Sequence, residues 1–93
     1  MHDVIMGIES NLRVLLADDD VPFRVAMSKA LKRRGFSVIP LVCGQEAVAA
    51  MRGLGTEEKT TVTVLDLRMP DIDGLEVLRR TPDRRSPVII LTG

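Results

Sequence analysis

The sequence has a single cysteine, Cys43, so no internal disulfide can form and a reducing compartment is the expected setting. It has no excess of either charge, because thirteen Lys and Arg balance thirteen Asp and Glu. That excludes nucleic-acid binding driven by bulk charge, though not a local patch. No apolar run approaches the ~20 residues that a membrane span needs. Met1 to Gly7 lacks a basic region followed by an apolar stretch, so no secretory signal is visible. Repeats and low-complexity tracts are absent as well. What remains is room for one small domain of 93 residues. A chain of this size buries only ~60–65% of its unfolded surface, which leaves a thin stability margin. With 45% hydrophobic and 28% charged residues, the expectation is a soluble cytoplasmic domain.

Met1 to Asn11 carries no pattern and is expected to be a flexible arm, so the folded unit is assigned to residues 12–93. Leu12 to Ala17 is a branched, apolar run halted by Asp18-Asp19-Asp20, and reads as a buried strand. The period then changes. Phe23, Met27, Ala30 and Leu31 share one helical face over Val21 to Arg34, with Asp20 as a candidate cap and Gly35 as the stop. Ser37 to Val42 reads as a second strand, placed at a sheet edge because Pro40 cannot donate to a ladder. Gly44 to Leu54 reads as a helix with Ala47, Ala50, Met51 and Leu54 on one stripe. After a polar loop, Thr61 to Leu65 is a third strand that ends at Asp66. Gly74 to Arg80 is a short helix anchored by Leu75 and Leu78, and Pro87 to Leu91 is a fourth strand. This alternation predicts an α/β fold, a doubly wound parallel sheet of strand order 2-1-3-4 with helices on both faces.

In that order, strands one and three are neighbours ~4.8 Å apart, and their carboxyl ends carry Asp18, Asp19 and Asp66. Three like charges so close repel one another unless something compensates. A hard divalent cation would do so, and the ligand set suits Mg²⁺. The blander readings are that Asp20 only caps a helix and that Asp66 only opens the turn toward Pro70. Neither of them accounts for both acidic sites on a βα framework.

Val14-Leu15-Leu16-Ala17-Asp18-Asp19-Asp20 with Arg24, then Gly35-Phe36 and Gly44-Gln45-Glu46-Ala47, resemble segments of the receiver domain of two-component response regulators. Val64-Leu65-Asp66-Leu67-Arg68-Met69-Pro70-Asp71-Ile72-Asp73-Gly74 resembles its phosphorylation segment, with Pro four and Gly eight residues after the acceptor. Pro87 to Gly93 resembles its fourth strand and hydroxyl residue, so the likeness runs from Leu12 to Gly93. The resemblance implies a flavodoxin-like fold and a phosphoacceptor, Asp66, that takes its phosphoryl group from a sensor histidine kinase. It also implies Mg²⁺ held directly by Asp19, Asp66 and the backbone carbonyl of Arg68, with Asp18 acting through water. Thr92 would contact the phosphoryl oxygens. Such a chain is a signalling domain rather than an enzyme of independent turnover, and it serves an output domain or a downstream protein.

The family pattern continues past this point with a helix, a fifth strand bearing a lysine, and a last helix. Residues 12–93 are therefore expected to be a receiver incomplete at its C-terminus, either a piece of a longer regulator or a natural short form. Val88 to Leu91 is apolar on both faces, and self-association through strand 88–91 is expected. Two rival functions stand beside this one. A binding-only pseudo-receiver would keep the fold without the chemistry. Asp71-Ile72-Asp73 resembles the nucleophile motif of haloacid-dehalogenase-type phosphatases, but Met69-Pro70 stand where that motif needs an apolar strand. Arg79-Arg80 and Arg84-Arg85 read as solvated charge around a turn rather than a nucleic-acid surface, and Cys43 as a quiet, partly buried thiol. Neither membrane binding nor direct nucleic-acid binding is expected.

Overall fold

Each apolar run becomes a strand, and each stretch of helical period becomes a helix. The computed structural model describes residues 12–54 and 60–92. In order along the chain these are β1 (Leu12–Ala17), α1 (Val21–Arg33), β2 (Ser37–Leu41), α2 (Gly44–Arg52), β3 (Thr60–Asp66), α3 (Gly74–Arg80) and β4 (Val88–Leu91). The expected arm and residue 93 lie outside the described residues. The four strands form one parallel sheet in the order β2-β1-β3-β4. The doubly wound order read from the sequence is therefore the order found. Pro40 lies in edge strand β2, where a missing N–H costs least.

Strand boundaries shift by a residue. β2 stops at Leu41, β3 begins at Thr60 and runs through Asp66, and β4 begins at Val88. α2 closes at Arg52 instead of reaching Leu54, with Gly53 as its C-cap.

The helix ends follow local chemistry. Asp20 accepts the Phe23 N–H at 3.2 Å and caps α1, with Pro22 in the first turn. Gly35, at φ 94°, takes the left-handed position that a side chain would resist. Asp73 accepts the Glu76 N–H at 2.8 Å and caps α3.

The alternation of strands divides the apolar residues between two faces. Leu15, Ala17 and Leu65 point to one side, where α2 and α3 cover them with Ala47, Val48, Met51 and Val77. Thr63 is fully buried on the same side, its hydroxyl 2.7 Å from that of Ser86. On the other side α1 is the one helix among the described residues. A trough of about 370 Å³, lined by Leu12, Val14, Met27, Leu31, Phe36, Val62, Val64, Ile89 and Leu91, stays open there.

Two expected stripes need correction. In α1, Met27 and Leu31 are half-buried but Phe23 and Ala30 are exposed, since α1 covers the β1–β2 side and nothing described lies beyond it. In α3, Val77 is fully buried while Leu75 is 48% exposed. The Asp73 cap sets the helix phase so that Gly74, Val77 and Thr81 form the inner stripe, with Leu78 beside it.

Candidate functional site

β1 and β3 pair in register to Ala17 and Leu65, so Asp18, just past the end of β1, and Asp66, the last residue of β3, stand side by side. Asp18 is buried. Its Oδ1 accepts the Asp20 N–H at 2.9 Å, and its backbone carbonyl accepts from Arg24 Nη1 at 2.6 Å, which fixes the β1–α1 turn. Asp19 is exposed and Asp66 half-buried. Asp66 Oδ1 accepts the Arg68 N–H at 3.2 Å. The structure thus brings together the three acids that the sequence singled out, with one ligand oxygen from each lying within 4.8 Å of the others.

Among the described residues none of these acids is paired to a cation, since the ion pairs run from Glu76 to Arg79 and Arg80 on α3. Three hard oxygen donors of one charge, uncompensated at short range, fit a divalent cation such as Mg²⁺. The acids line an open cleft of about 530 Å³ with Asp20, Phe23, Arg68, Leu91 and Thr92. Thr92 reaches the rim because Leu91 pairs with Asp66 in the β3–β4 ladder, which places the next residue beside the acid cluster. Among the described residues Arg68 is the one cation lining the cleft, and its side chain is exposed.

The loop after Asp66 is held closely. The Leu67 N–H donates to the Leu91 carbonyl at 2.9 Å, and the Gly74 N–H donates to the Leu67 carbonyl at 2.9 Å. Met69 is buried in the core. A Cβ at Gly74 would sit 2.9 Å from the Asp66 carbonyl oxygen, so the helix start can approach the acid only as glycine.

Two contributors were missed in the sequence. Phe23 was read only as part of an apolar helical face, yet it lines the cleft at 36% exposure. Asp71 was read as part of the phosphorylation segment and of a phosphatase-like motif, with no role of its own. It accepts the Gly44 N–H at 2.9 Å and the Gln45 N–H at 2.7 Å, and so caps α2 from a distance. Partial desolvation would raise its pKa, but the hydrogen bonds from Gln45, Gly44, Ile72 and the Cys43 thiol outweigh it and hold the carboxyl at about 2. Both acids of the Asp71-Ile72-Asp73 motif are therefore spent on helix caps. Nothing in the local pattern could have shown the long-range partner of Asp71.

A family model for the response regulator receiver domain matches residues 14–93. The transcriptional regulatory protein TrcR of Mycobacterium tuberculosis is 40% identical over 85 residues, covering 89% of this chain and 32% of TrcR. Among solved structures, FixJ-N superposes with a TM-score of 0.76 at 32% identity, over 88% of this chain and 64% of FixJ-N. The response regulator TrrA of Thermotoga maritima, solved in complex with Mg²⁺-BeF, gives a TM-score of 0.73 at 27% identity, over 86% of this chain and 68% of TrrA. The chain thus spans about a third of TrcR and under two thirds of FixJ-N.

Proposed function

Because the chain belongs to the response regulator receiver family, we propose that Asp66 is its phosphoacceptor, charged by a sensor histidine kinase in a Mg²⁺-dependent phosphorelay. The observation that carries this reading is the convergence of Asp18, Asp19 and Asp66 within 4.8 Å at the ends of two adjacent strands. A cap explains Asp20 and the loop explains Pro70, but neither calls for three acids around one point.

Asp19, Asp66 and the Arg68 carbonyl would hold Mg²⁺ directly, and Asp18, buried and fixed by the Asp20 N–H, would hold it through water. When bound, the ion supplies positive charge against the oxygens of the transferring phosphoryl group. The remaining work falls to the chain. An Asp66 carboxylate oxygen attacks phosphorus, the P–N bond to the donor histidine breaks, and its electron pair stays on the imidazole. The product is an acyl phosphate on Asp66. Thr92, at the cleft rim, donates its hydroxyl to a phosphoryl oxygen, and the added charge biases the surrounding loops. Arg68 lends a further cation at the mouth. An output domain or downstream protein reads the change.

Incubation with acetyl phosphate and Mg²⁺, followed by intact mass, tests the reading. One phosphoryl group is expected on the unmodified chain, none on Asp66→Asn, and little without Mg²⁺. A binding-only receiver is the rival, favoured by a cleft that no lysine lines among the described residues. Equal adduct-free spectra for both chains would select it.

Self-association through strand 88–91 belongs to the same proposal. The outer edge of β4 is unpaired in the described sheet and Ile89 is 53% exposed. Among the described residues no helix is long and apolar enough to cross a membrane.

A further inference from the structure

α2 differs from its neighbours at its first turn. α1 and α3 are capped by the aspartate just before them, but Cys43, the N-cap residue of α2, makes no side-chain cap bond. The first N–H groups of a helix need acceptors. Here they are met from 27 and 26 residues away in sequence, by the two carboxylate oxygens of Asp71 on the Gly44 and Gln45 N–H groups. Asp71 sits in the loop that leaves Asp66 and carries Arg68. The contact is close. A Cβ at Gly44 would meet Ile72 Cγ1 at 2.5 Å and the Ile72 carbonyl at 2.6 Å, so the loop lies directly on the helix start.

α2 is a firm post for such a tie, since Ala47, Val48 and Met51 are buried in the core. The loop is also held at the Asp66 end, through Leu67 to Leu91 and Arg68 to Asp66. Two of the groups assigned to the metal, Asp66 and the Arg68 carbonyl, belong to this held segment.

We infer that Asp71 is a positioning residue, a carboxylate that caps α2 from the β3–α3 loop and thereby fixes the segment presenting Asp66 and the Arg68 carbonyl. It touches neither metal nor phosphoryl group, and it acts through the shape of the loop. Its part in metal binding rests on the Mg²⁺ reading above; its part in loop order does not. By linkage, anything that tightens the Asp66–Arg68 segment also tightens the Asp71 bonds to α2, so Mg²⁺ slows exchange of the Gly44 and Gln45 amides.

The experiment compares Asp71→Ala and Asp71→Asn with Arg52→Ala in the full chain. Arg52 ties the other end of α2, donating from Nε at 3.1 Å and Nη2 at 2.9 Å to the Arg80 carbonyl. Its loss loosens the same helix without touching the loop. Amide exchange without metal is read first. Asp71→Ala speeds exchange at Leu67 and Arg68 as well as at Gly44 and Gln45, whereas Arg52→Ala does not. Calorimetric titration with Mg²⁺ is read second. Asp71→Ala weakens binding about tenfold, in the range of residues that orient metal ligands from behind. Asp71→Asn, which keeps one acceptor oxygen, falls between, and Arg52→Ala binds as the unmodified chain does. Faster exchange confined to Gly44 and Gln45, with Mg²⁺ affinity unmoved, overturns the inference. If the unmodified chain binds no Mg²⁺, the metal reading fails instead, and exchange at Leu67 and Arg68 alone decides the tether.

Discussion

The two faces of the sheet are built from the same strands, with similar side chains, and end in different states. Leu15 and Leu65 point toward α2 and α3 and are almost wholly buried, at 1% and 0% exposure. Val62 and Val64, which alternate with Thr63 and Leu65 on β3, point the other way, into the apolar trough beside α1. A parallel sheet is stable when both faces are covered. Among the described residues two helices cover one face, while α1 covers part of the other. The difference shows that apolarity on a strand specifies a need for cover and says nothing of what supplies it. The acid cluster lies at the carboxyl end of the sheet and draws on the firm face: its loop is anchored by Met69 in the core and by Asp71 on α2.

The largest expected effect separates the faces directly. Leu65→Ala removes a fully buried side chain beneath α2 and α3 and should cost about 2–5 kcal/mol. Small domains hold only about 5–15 kcal/mol in total, so this variant approaches unfolding. Ile89→Ala, at a position 53% exposed on the open face, should stay within about 0.5 kcal/mol. Denaturant melts followed by far-UV circular dichroism give both values, a suitable probe in a chain with no Trp or Tyr. Similar costs at the two positions would mean that the open face is covered in solution.

That outcome connects with association. Ile89→Lys places a charge on the exposed residue of β4 and should shift any dimer or larger species toward monomer in size-exclusion chromatography with light scattering. Stability should move little. A population unchanged by Ile89→Lys would place any self-contact elsewhere than β4.

Much of this was legible in the sequence because local rules were obeyed. The strands announced themselves as branched apolar runs, Pro40 named an edge, and Asp20 and Gly35 bracketed α1. The acid constellation followed from strand order, since Asp18 and Asp19 follow β1 directly and Asp66 ends β3. The failures have a common cause. Leu75 was read as an anchor where Val77 is the buried residue, because the phase of a two-turn helix is set by its cap and by what lies beneath it. Phe23 was placed on an apolar helical face because its spacing was helical, though among the described residues nothing covers that part of the face and the ring lines the cleft instead. Asp71 could not be read as a cap at all. Its partners are distant in sequence, and the helix it serves begins with a residue of no capping power.

The smallest expected effect concerns charge on the firm face. Asp71 has an ordinary pKa of 3.8 and is held at about 2 in the folded chain. A carboxyl depressed by folding releases its proton more readily in the native state, so it stabilises that state once ionised. The contribution is full above the unfolded value and is lost as pH falls from about 4 through about 2. Asp71→Asn removes the titration, so the gap in stability between the unmodified chain and the variant should narrow over that window. Glu76 is lowered by hydrogen bonds from Arg80 and Arg79 and titrates in the same direction, but it is solvent-exposed and common to both chains. Raising the salt concentration weakens the Glu76 pairs more than the short N–H bonds to Asp71. The narrowing should therefore persist in high salt if the cap on α2 is its source. A gap that stays constant from about pH 5 to 2 would mean that the Asp71 carboxylate is not bonded to α2 in solution, and the firm face would lose its tie to the acid-bearing loop.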